Sequence, residues 1–456
     1  MTPRMRRIYK KIRFFLRFLA ALVAKYQGAI LIGILLGSLT FVLLPRIVVA
    51  TIQFRSTYSI AYVARPTLSD LPLDIQRQIS LGLTHIDSRG QPQPALASSW
   101  TATDSGKTYT FILQPGLKWH DGTPVKSSQI TYQFTDAQIS YPDSNSLTIR
   151  LTDPFSPLPV VLSQPIFKTK LVGVGSYKTT SIRKNGNYID SITLSPINPD
   201  SRLPRLRYYF YPSEKLARTA YKLGIVNSIA DISDPEDLSD WPNTSVSQVT
   251  RTDRYVAAFF NTQSQVFSGS GGKSLRQALA YTTDKTRWPN DSRITGPLSA
   301  TNWAYTSDIK KYDLDVARAR SLLGKSGPNL PKIILSTFPA YLTTAEELKS
   351  DWETLGLEIE ISVTPDVPDD FLVLVAAQVL PTDPDQYHLW HSTQASNLTR
   401  FSHPRIDKLL EDGRKTSDPK ERLDIYQDFQ KALVEEVPAI FLYHPQSYTI
   451  TRRSSP

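Results

Sequence analysis

The chain has 456 residues, more than one compact core usually holds, so two or three lobes are expected. Its formal net charge is +10, but residues 1–50 carry nine basic residues and no acidic one, so the rest of the chain is nearly neutral. This local basicity lies beside an apolar run rather than on a folded face, so it does not indicate a nucleic-acid partner. The absence of cysteine excludes disulfides, thiol nucleophiles and a lipid-modified cysteine.

An apolar run, Gly28–Leu44, follows the basic segment. Its seventeen uncharged residues would reach about 25 Å as a helix, nearly the thickness of a bilayer core. Eight basic residues precede it and one follows, which places the amino terminus in the cytoplasm. We therefore predict a basic cytoplasmic segment at residues 1–27 and a transmembrane signal anchor at residues 28–50 in the lipid bilayer of the cell membrane, with the main domain extracytoplasmic. The alternative is a signal peptide cleaved after Val48-Val49-Ala50.

The remaining residues predict a mixed α/β fold. Apolar runs, either alternating or continuous, predict strands at Thr108–Leu113, Leu147–Leu151, Leu206–Tyr211, Tyr255–Phe260, Ile333–Phe338, Glu358–Val363, Phe371–Val375 and Ala439–Tyr443. Capping signals predict a helix over Pro419–Val437 with Asp418 as its N-cap, and another that begins near Asp313–Asp315 and ends at Gly324. Two further helix candidates are Ser274–Lys285 and Thr344–Leu355.

The stretch WHDGTP, Trp119–Pro124, contains a His-Asp pair beside a tryptophan. Asp121 and Gly122 follow a predicted strand and are typical of a turn. A catalytic dyad needs a nucleophile and a carboxylate on the far side of the imidazole, which residues adjacent in sequence do not easily provide. The segment GSGGKS, Gly269–Ser274, lacks the first glycine of a phosphate-binding loop, because Phe267 occupies that position. No catalytic residue and no cofactor are predicted.

A second polar stretch, DPDQYHLWH, runs from Asp383 to His391. Its histidines are three residues apart and share one face of a helix, and its two aspartates could complete a metal shell. The aromatic residues Tyr387 and Trp390 in the same stretch favour a ligand pocket over a metal site.

The stretch Pro94–Pro124 is similar to the signature of family 5 extracellular solute-binding proteins, the dipeptide and oligopeptide receptors of ABC importers. Three further blocks follow in the order that this family shows: Arg254–Arg287, Lys311–Gly327 and Phe401–Pro445. The resemblance covers nearly everything after residue 55. It implies a receptor rather than an enzyme, in which WHDGTP is a strand-and-turn element.

The resemblance implies a type II periplasmic-binding-protein fold: two α/β lobes joined by hinge strands, with a further domain inserted early in the chain. It places lobe I at about residues 51–80, 165–252 and 437–456, the inserted domain at about 81–164, and lobe II at about 253–436. In such a receptor the ligand contacts both lobes only when they close, so binding shifts the open–closed equilibrium. The implied partners are a peptide or small solute and the permease subunits of an ABC transporter, and the receptor itself is expected to be a monomer.

The resemblance also implies a cleft with two facing walls. Asn261 and Thr262, just after the predicted strand Tyr255–Phe260, are expected on one wall. Further ligand-binding candidates are Tyr177, Asp383, Asp385, Tyr387, His388 and Trp390, with Trp390 as a rigid anchor. At the position where peptide receptors commonly have an aspartate for the ligand's ammonium group, this sequence has Leu380. Asp383 or Asp385 is expected to replace that carboxylate.

The leading hypothesis is a membrane-anchored extracytoplasmic receptor of an ABC importer that captures peptides or peptide-like solutes by cleft closure. A second hypothesis is a receptor for a metal complex or another small solute, with His388 and His391 as direct or indirect ligands. A third is an anchored scaffold or sensor that does not serve transport.

Overall fold

The computed structural model describes residues 18, 20–28, 32–33, 35–41, 57–198, 201–325 and 332–453. The chain forms two compact units. One consists of Met1–Tyr58 with Leu203–Arg205, and the other of Ser59–Arg202 with Leu206–Pro456. In the first unit, the described residues between 18 and 41 are helical.

The described residues include no helix that is both long and apolar enough to cross a membrane. The predicted single-pass location in the cell membrane is therefore wrong, and the transmembrane anchor at residues 28–50 stays a prediction. Residues 1–17 and 19 of the predicted cytoplasmic segment, and residues 29–31, 34 and 42–50 of the predicted anchor, lie outside the described residues.

The rest of the described chain contains both strands and helices. The strands are β1 (Thr57–Val63), β2 (Thr84–Ile86), β3 (Pro92–Pro94), β4 (Ala97–Thr103), β5 (Thr108–Leu113), β6 (Ala137–Asp143), β7 (Ser146–Leu151), β8 (Tyr177–Asn185), β9 (Tyr188–Pro196), β10 (Arg205–Tyr211), β11 (Ser228–Ile232), β12 (Thr244–Thr250), β13 (Arg254–Phe260), β14 (Ile333–Thr337), β15 (Ile359–Val363), β16 (Val373–Val379), β17 (Ala439–Tyr443) and β18 (Gln446–Arg452). The α-helices are α1 (Leu73–Ile79), α2 (Leu158–Val161), α3 (Glu214–Lys222), α4 (Gly269–Thr282), α5 (Val316–Leu323), α6 (Leu342–Glu353), α7 (Tyr387–Trp390), α8 (Pro404–Lys415) and α9 (Pro419–Glu436).

The first lobe is built on a seven-stranded sheet with the order β12-β18-β11-β1-β10-β9-β8. β1 and β11 pair in parallel, whereas β18 pairs antiparallel with both β11 and β12. Two separate apolar cores pack on this sheet, one with Ile75 and Ile79 of α1 and the other with Ala217 and Tyr221 of α3. Ser213 is the N-cap of α3, and its side chain accepts a hydrogen bond from the backbone N–H of Leu216.

An inserted domain follows α1. It contains the β2-β3 hairpin and a four-stranded sheet with the order β4-β5-β7-β6, packed around a core that includes Phe111 and Trp119. Its return to the first lobe depends on close backbone contact: a Cβ on Gly173 would lie 2.2 Å from the carbonyl oxygen of Ile79. Only glycine fits at that position without displacing the backbone of α1.

The second lobe is built on a five-stranded sheet with the order β15-β14-β16-β13-β17. β14 is parallel to β15 and β16, and β13 is antiparallel to β16 and β17. β13, with the sequence RYVAAFF, is buried from Tyr255 to Phe260, and its core includes residues of α4, α6 and α9. A strand covered on both faces is expected to show such a continuous apolar run.

Several predicted elements have the bounds that the sequence indicated. Thr108–Leu113 and Ala439–Tyr443 are β5 and β17, and α9 begins at Pro419 with the Asp418 carboxylate accepting the backbone N–H groups of the first turn. The expected lobe boundary at residue 437 differs from the observed sheets, because β17 pairs with β13 in the second lobe. The chain returns to the first lobe only at β18.

Candidate functional site

Two short chain crossings join the lobes. Arg251–Asp253 connects β12 to β13, and His444–Pro445 connects β17 to β18. The crossings lie side by side, because the backbone N–H of Arg251 donates to the oxygen of Pro445 at 2.8 Å and the Nδ1 of His444 lies 2.6 Å from the oxygen of Arg254. Two adjacent crossings let the lobes rotate about a common line, which is the geometry of a hinge.

Charged side chains surround this hinge. The Arg251 guanidinium donates to both carboxylate oxygens of Asp253, at 3.0 Å and 2.8 Å, and also pairs with Asp231 of the first lobe. Arg254, the first residue of β13, reaches Asp253 at 3.1 Å. Burial acts to raise the pKa of Asp253, but the hydrogen bonds and positive charges of Arg251 and Arg254 together outweigh it and lower the pKa to about 2. The cluster therefore balances two positive and two negative charges at neutral pH.

Asp231 has a backbone conformation that non-glycine residues rarely adopt. Its φ is 57°, and it lies where the pairing of β11 with β18 shifts register, between Ile229 and Ile232. A bulge of this kind redirects a side chain out of the regular strand pattern. Such strain persists where surrounding contacts hold the backbone in place. For Asp231, the ion pair with Arg251 is a contact of this kind.

A cavity of about 200 Å³ lies against the hinge, and we call it the hinge cavity. Its walls are the turn of the β2-β3 hairpin, the hinge residues Thr252 and Asp253, and two segments of the second lobe. The second-lobe residues are Leu298, Ser299, Thr301, Asn302, Leu380, Pro381 and Thr382. The later segment follows the carboxyl end of β16, which is where α/β sheets commonly bind ligands. Pockets for whole ligands measure about 300–1,000 Å³, so the hinge cavity has room for one group of a ligand.

Leu380 lies in this wall, and its backbone N–H donates to the oxygen of Asp253 at 2.7 Å. The nearby Asp383 is 5% exposed, and its two carboxylate oxygens accept hydrogen bonds from Arg422 at 3.0 Å and 2.5 Å. This bidentate pair fastens the segment after β16 to helix α9. A role for Asp383 in binding a ligand's ammonium group stays a prediction.

Asp385 makes a second ion pair, to Arg414 of α8 at 2.9 Å. The Arg414 guanidinium also lies 4.0 Å from the ring centroid of Tyr387. His388 is exposed, but partial desolvation of its imidazole by the surrounding protein lowers its pKa. Asp385, Tyr387 and His388 therefore lie beside α8, and their contact with a ligand is likewise untested.

The aspartates and histidines of DPDQYHLWH are directed to different partners. The Nε2 of His391 lies 3.4 Å from a carboxylate oxygen of Glu411, and its ring stacks on Tyr387 at 4.0 Å between centroids. Within the described parts of the chain, no group of three His, Asp or Glu side chains lies close enough to hold a metal ion.

Trp390 packs in the core of the second lobe. It is 2% exposed, its ring lies 6.5 Å from that of Phe259 and 6.0 Å from that of Phe441, and its Nε1–H donates to the side-chain oxygen of Gln386 at 2.9 Å. The structure thus gives this tryptophan a packing role, and its predicted role as a ligand anchor stays untested.

Asn261 and Thr262 follow β13 at its carboxyl end, whereas the hinge meets β13 at Arg254, its first residue. Asn261 is 3% exposed, and Thr262 lines a different cavity, of about 370 Å³. Tyr177, at the start of β8, is 5% exposed and belongs to the core of the first lobe. The structure does not bring these three residues into the lining of the hinge cavity.

The inserted domain contacts the second lobe as well as the first. The backbone N–H of Ser156 donates to the oxygen of Arg414 at 2.8 Å, and the Arg414 guanidinium lies 5.2 Å from the ring of Phe155. Arg414 is therefore held between the rings of Phe155 and Tyr387 while it pairs with Asp385. Sequence reasoning missed this contact, because no local pattern shows which lobe an inserted domain faces.

WHDG forms a turn, as predicted. Gly122 has a φ of +83°, and the backbone N–H of Thr123 donates to the Asp121 carboxylate at 3.0 Å. The backbone N–H of His120 donates to the oxygen of Gly173 at 2.9 Å, and burial lowers the pKa of the imidazole. His120 thus joins the inserted domain to the first lobe and has a structural role.

Two α/β lobes, a double crossing between them and a cavity at that crossing define a two-lobed solute-binding protein. The chain matches the bacterial extracellular solute-binding proteins, family 5, over residues 91–397. It belongs to this family, whose members are substrate receptors and not enzymes.

Known proteins agree with this assignment. The chain is 22% identical over 470 residues to the oligopeptide-binding protein AppA of Bacillus subtilis (strain 168). This alignment covers 85% of this chain and 86% of AppA. The substrate-binding protein CtaP of Listeria monocytogenes superposes with a TM-score of 0.75 at 20% identity, over 87% of this chain and 94% of CtaP. NikZ of Campylobacter jejuni, solved in complex with Ni(L-His), gives a TM-score of 0.72 at 19% identity, over 88% of this chain and 94% of NikZ. These likenesses show the α/β periplasmic-binding-protein fold.

Proposed function

We propose that this chain is the receptor of an ABC importer and that it captures peptides or peptide-like solutes between its lobes. The observation that carries the proposal is the hinge cavity, whose walls come from the hinge, the second lobe and the inserted domain. A ligand in this cavity contacts all three parts at once, so it favours the arrangement in which they are close together. The family and the oligopeptide-binding relative support the choice of a peptide as ligand.

The lining of the hinge cavity suits the backbone of an extended ligand. Ser299, Thr301 and Asn302 supply hydroxyl and amide groups that both donate and accept hydrogen bonds. The side chain of Asn302 donates to the oxygen of Thr382 at 3.1 Å, which holds the two second-lobe segments together. Recognition through main-chain hydrogen bonds is compatible with ligands of many sequences.

Asp385, Tyr387 and Arg414 support closure from outside the cavity in this proposal. They hold the inserted domain against the second lobe through Phe155 and Ser156. The closed arrangement then presents both lobes together to the permease subunits of the importer.

Native mass spectrometry of the purified full-length protein tests the proposal. After incubation with a mixed-sequence peptide library, the protein is expected to retain peptides, and thermal unfolding is expected to shift to higher temperature with them. Retention of a metal complex or another small solute, with no peptide retained, would contradict the proposal and favour the second hypothesis. Retention of no solute at all would favour a scaffold.

A further inference from the structure

A second cavity, of about 330 Å³, lies between the inserted domain and the second lobe, and we call it the interdomain cavity. Its apolar walls include Pro92, Trp100, Tyr109 and Val160 of the inserted domain, and Trp303 and Leu423 of the second lobe. A volume of this size is at the lower end of the range for small-ligand pockets. The interdomain cavity therefore has room for one large side chain of a ligand.

The interdomain cavity adjoins the hinge cavity. At three places one residue lines the hinge cavity and the next residue of the chain lines the interdomain cavity: Gly90–Gln91, Asn302–Trp303 and Thr382–Asp383. Successive residues of an extended peptide advance by only about 3.3 Å. A ligand with a backbone group in the hinge cavity can therefore place a neighbouring side chain in the interdomain cavity.

The charges that line the interdomain cavity compensate each other. They belong to Asp383 and Arg422, which form the bidentate ion pair between the segment after β16 and α9. The other described residues of the lining are neutral, and the hydroxyl of Ser156 already donates to the oxygen of Arg414 at 3.1 Å. A charged group of a ligand would lose its hydration here without gaining a counter-charge. The lining therefore favours an uncharged, apolar group.

Two half-buried tryptophans line the interdomain cavity, Trp100 from the inserted domain and Trp303 from the second lobe. The ring of Trp100 stacks on that of Phe111 at 6.0 Å between centroids, and the ring of Trp303 lies 5.5 Å from the Arg422 guanidinium. Because these contacts hold both rings in place, little side-chain entropy is lost when a ligand packs against them. Each ring also supplies a large apolar contact area.

We propose that the interdomain cavity binds an aromatic or large aliphatic side chain of the peptide ligand, next to the ligand group in the hinge cavity. The inference rests on the proposed function and narrows it to peptides that carry such a side chain. Recognition of the peptide backbone alone does not distinguish one sequence from another. A side chain between Trp100 and Trp303 is buried only when the inserted domain and the second lobe are close together, so it also favours the closed arrangement.

A competition experiment on the full-length protein tests this inference. The protein is mixed with equal amounts of trialanine and of its variants with one phenylalanine, leucine, aspartate or lysine, and native mass spectrometry identifies the retained peptides. Ala102→Trp is designed to fill the cavity, because Ala102 is an exposed lining residue on the same face of β4 as Trp100. Thr101→Trp is the matched control, since Thr101 is also exposed but lies on the other face of β4, outside the lining.

The wild type and Thr101→Trp are expected to retain the phenylalanine peptide over trialanine at least about tenfold, as burial of such a side chain predicts. Ala102→Trp is expected to bring that ratio near one while trialanine is still retained. Trp303→Ala removes the second-lobe ring and is expected to lower the ratio about threefold or more, which provides a second test if Ala102→Trp does not fold.

The inference is overturned if the wild type retains trialanine, or the aspartate or lysine peptide, as well as the phenylalanine peptide. It is also overturned if a folded Ala102→Trp or Trp303→Ala keeps the wild-type preference. If the wild type retains no peptide of any composition, the proposed function itself fails, and this inference with it.

Discussion

Asp383→Ala is expected to lower the free energy of unfolding by about 3–5 kcal/mol, the usual cost of leaving a buried charge without its partner. Arg422 is 8% exposed, and its guanidinium donates to both oxygens of Asp383. Its Nε–H donates to the oxygen of Gly413 at 2.9 Å, and its guanidinium lies 5.5 Å from the ring of Trp303. These contacts prevent Arg422 from turning into solvent, so the variant retains a buried positive charge with no facing carboxylate.

Urea unfolding followed by tryptophan fluorescence measures this loss. With a slope m of about 3 kcal/mol per molar urea, the midpoint is expected to fall by about 1 M or more. Adding Arg422→Met to Asp383→Ala is expected to recover part of the loss, because an apolar side chain does not need a counter-charge. Asp385→Ala is the matched comparison and is expected to cost less, because its partner Arg414 has a side chain that is 28% exposed.

A midpoint for Asp383→Ala within about 0.2 M of the wild type would refute this reasoning, since a shift so small is less than 1 kcal/mol at the same slope. Loss of peptide retention with an unchanged midpoint would refute it in a different way. It would mean that Asp383 contacts the ligand, as the sequence suggested, and does not serve as the partner of a buried arginine.

His120→Ala is expected to lower the free energy of unfolding by about 1 kcal/mol, the usual contribution of one side-chain hydrogen bond, and to leave peptide affinity unchanged. Reduced affinity at an unchanged melting temperature would contradict the structural role of His120. Trp390→Ala is expected to lower the free energy of unfolding by about 3–5 kcal/mol, because it leaves a cavity in the core of the second lobe. A melting temperature equal to that of the wild type would contradict this packing role. Burial lowers the pKa values of His120, His388 and His444, so the unfolded chain binds more protons than the folded one below the unfolded pKa of about 6.5. Stability is therefore expected to fall as the pH drops from 7.5 to 5.5, and a larger fall in the wild type than in His444→Gln would locate part of the effect at the hinge.

The second lobe could be predicted from its sequence more fully than the first. Two of its strands, β13 and β17, are buried along almost their whole length and appear as uninterrupted apolar runs. The first-lobe strand β8, with the sequence YKTTSIRKN, is mostly exposed, and β12, with the sequence TSVSQVT, is mostly polar. Neither shows a pattern that distinguishes a strand from a loop, because these strands depend on pairing with distant neighbours.

The predicted cleft residues Asn261 and Thr262 lie at the opposite end of β13 from the hinge cavity. The sequence placed Asn261, just after the strand Tyr255–Phe260, on one wall of the cleft. In the structure the crossing precedes that strand, at Arg251–Asp253, so the hinge lies at the other end. A single apolar run shows that a strand is buried but not which of its ends faces a neighbouring lobe.

β18 lies between β11 and β12, although the whole second lobe separates it from them along the chain. The first lobe therefore cannot complete its sheet until the second lobe has been synthesised and the chain has passed back across the hinge. Until then β11 and β12 each keep an unpaired edge, and the long separation makes their final pairing slow. We expect the two lobes to reach their native state together, with the His444–Pro445 crossing among the last parts to form.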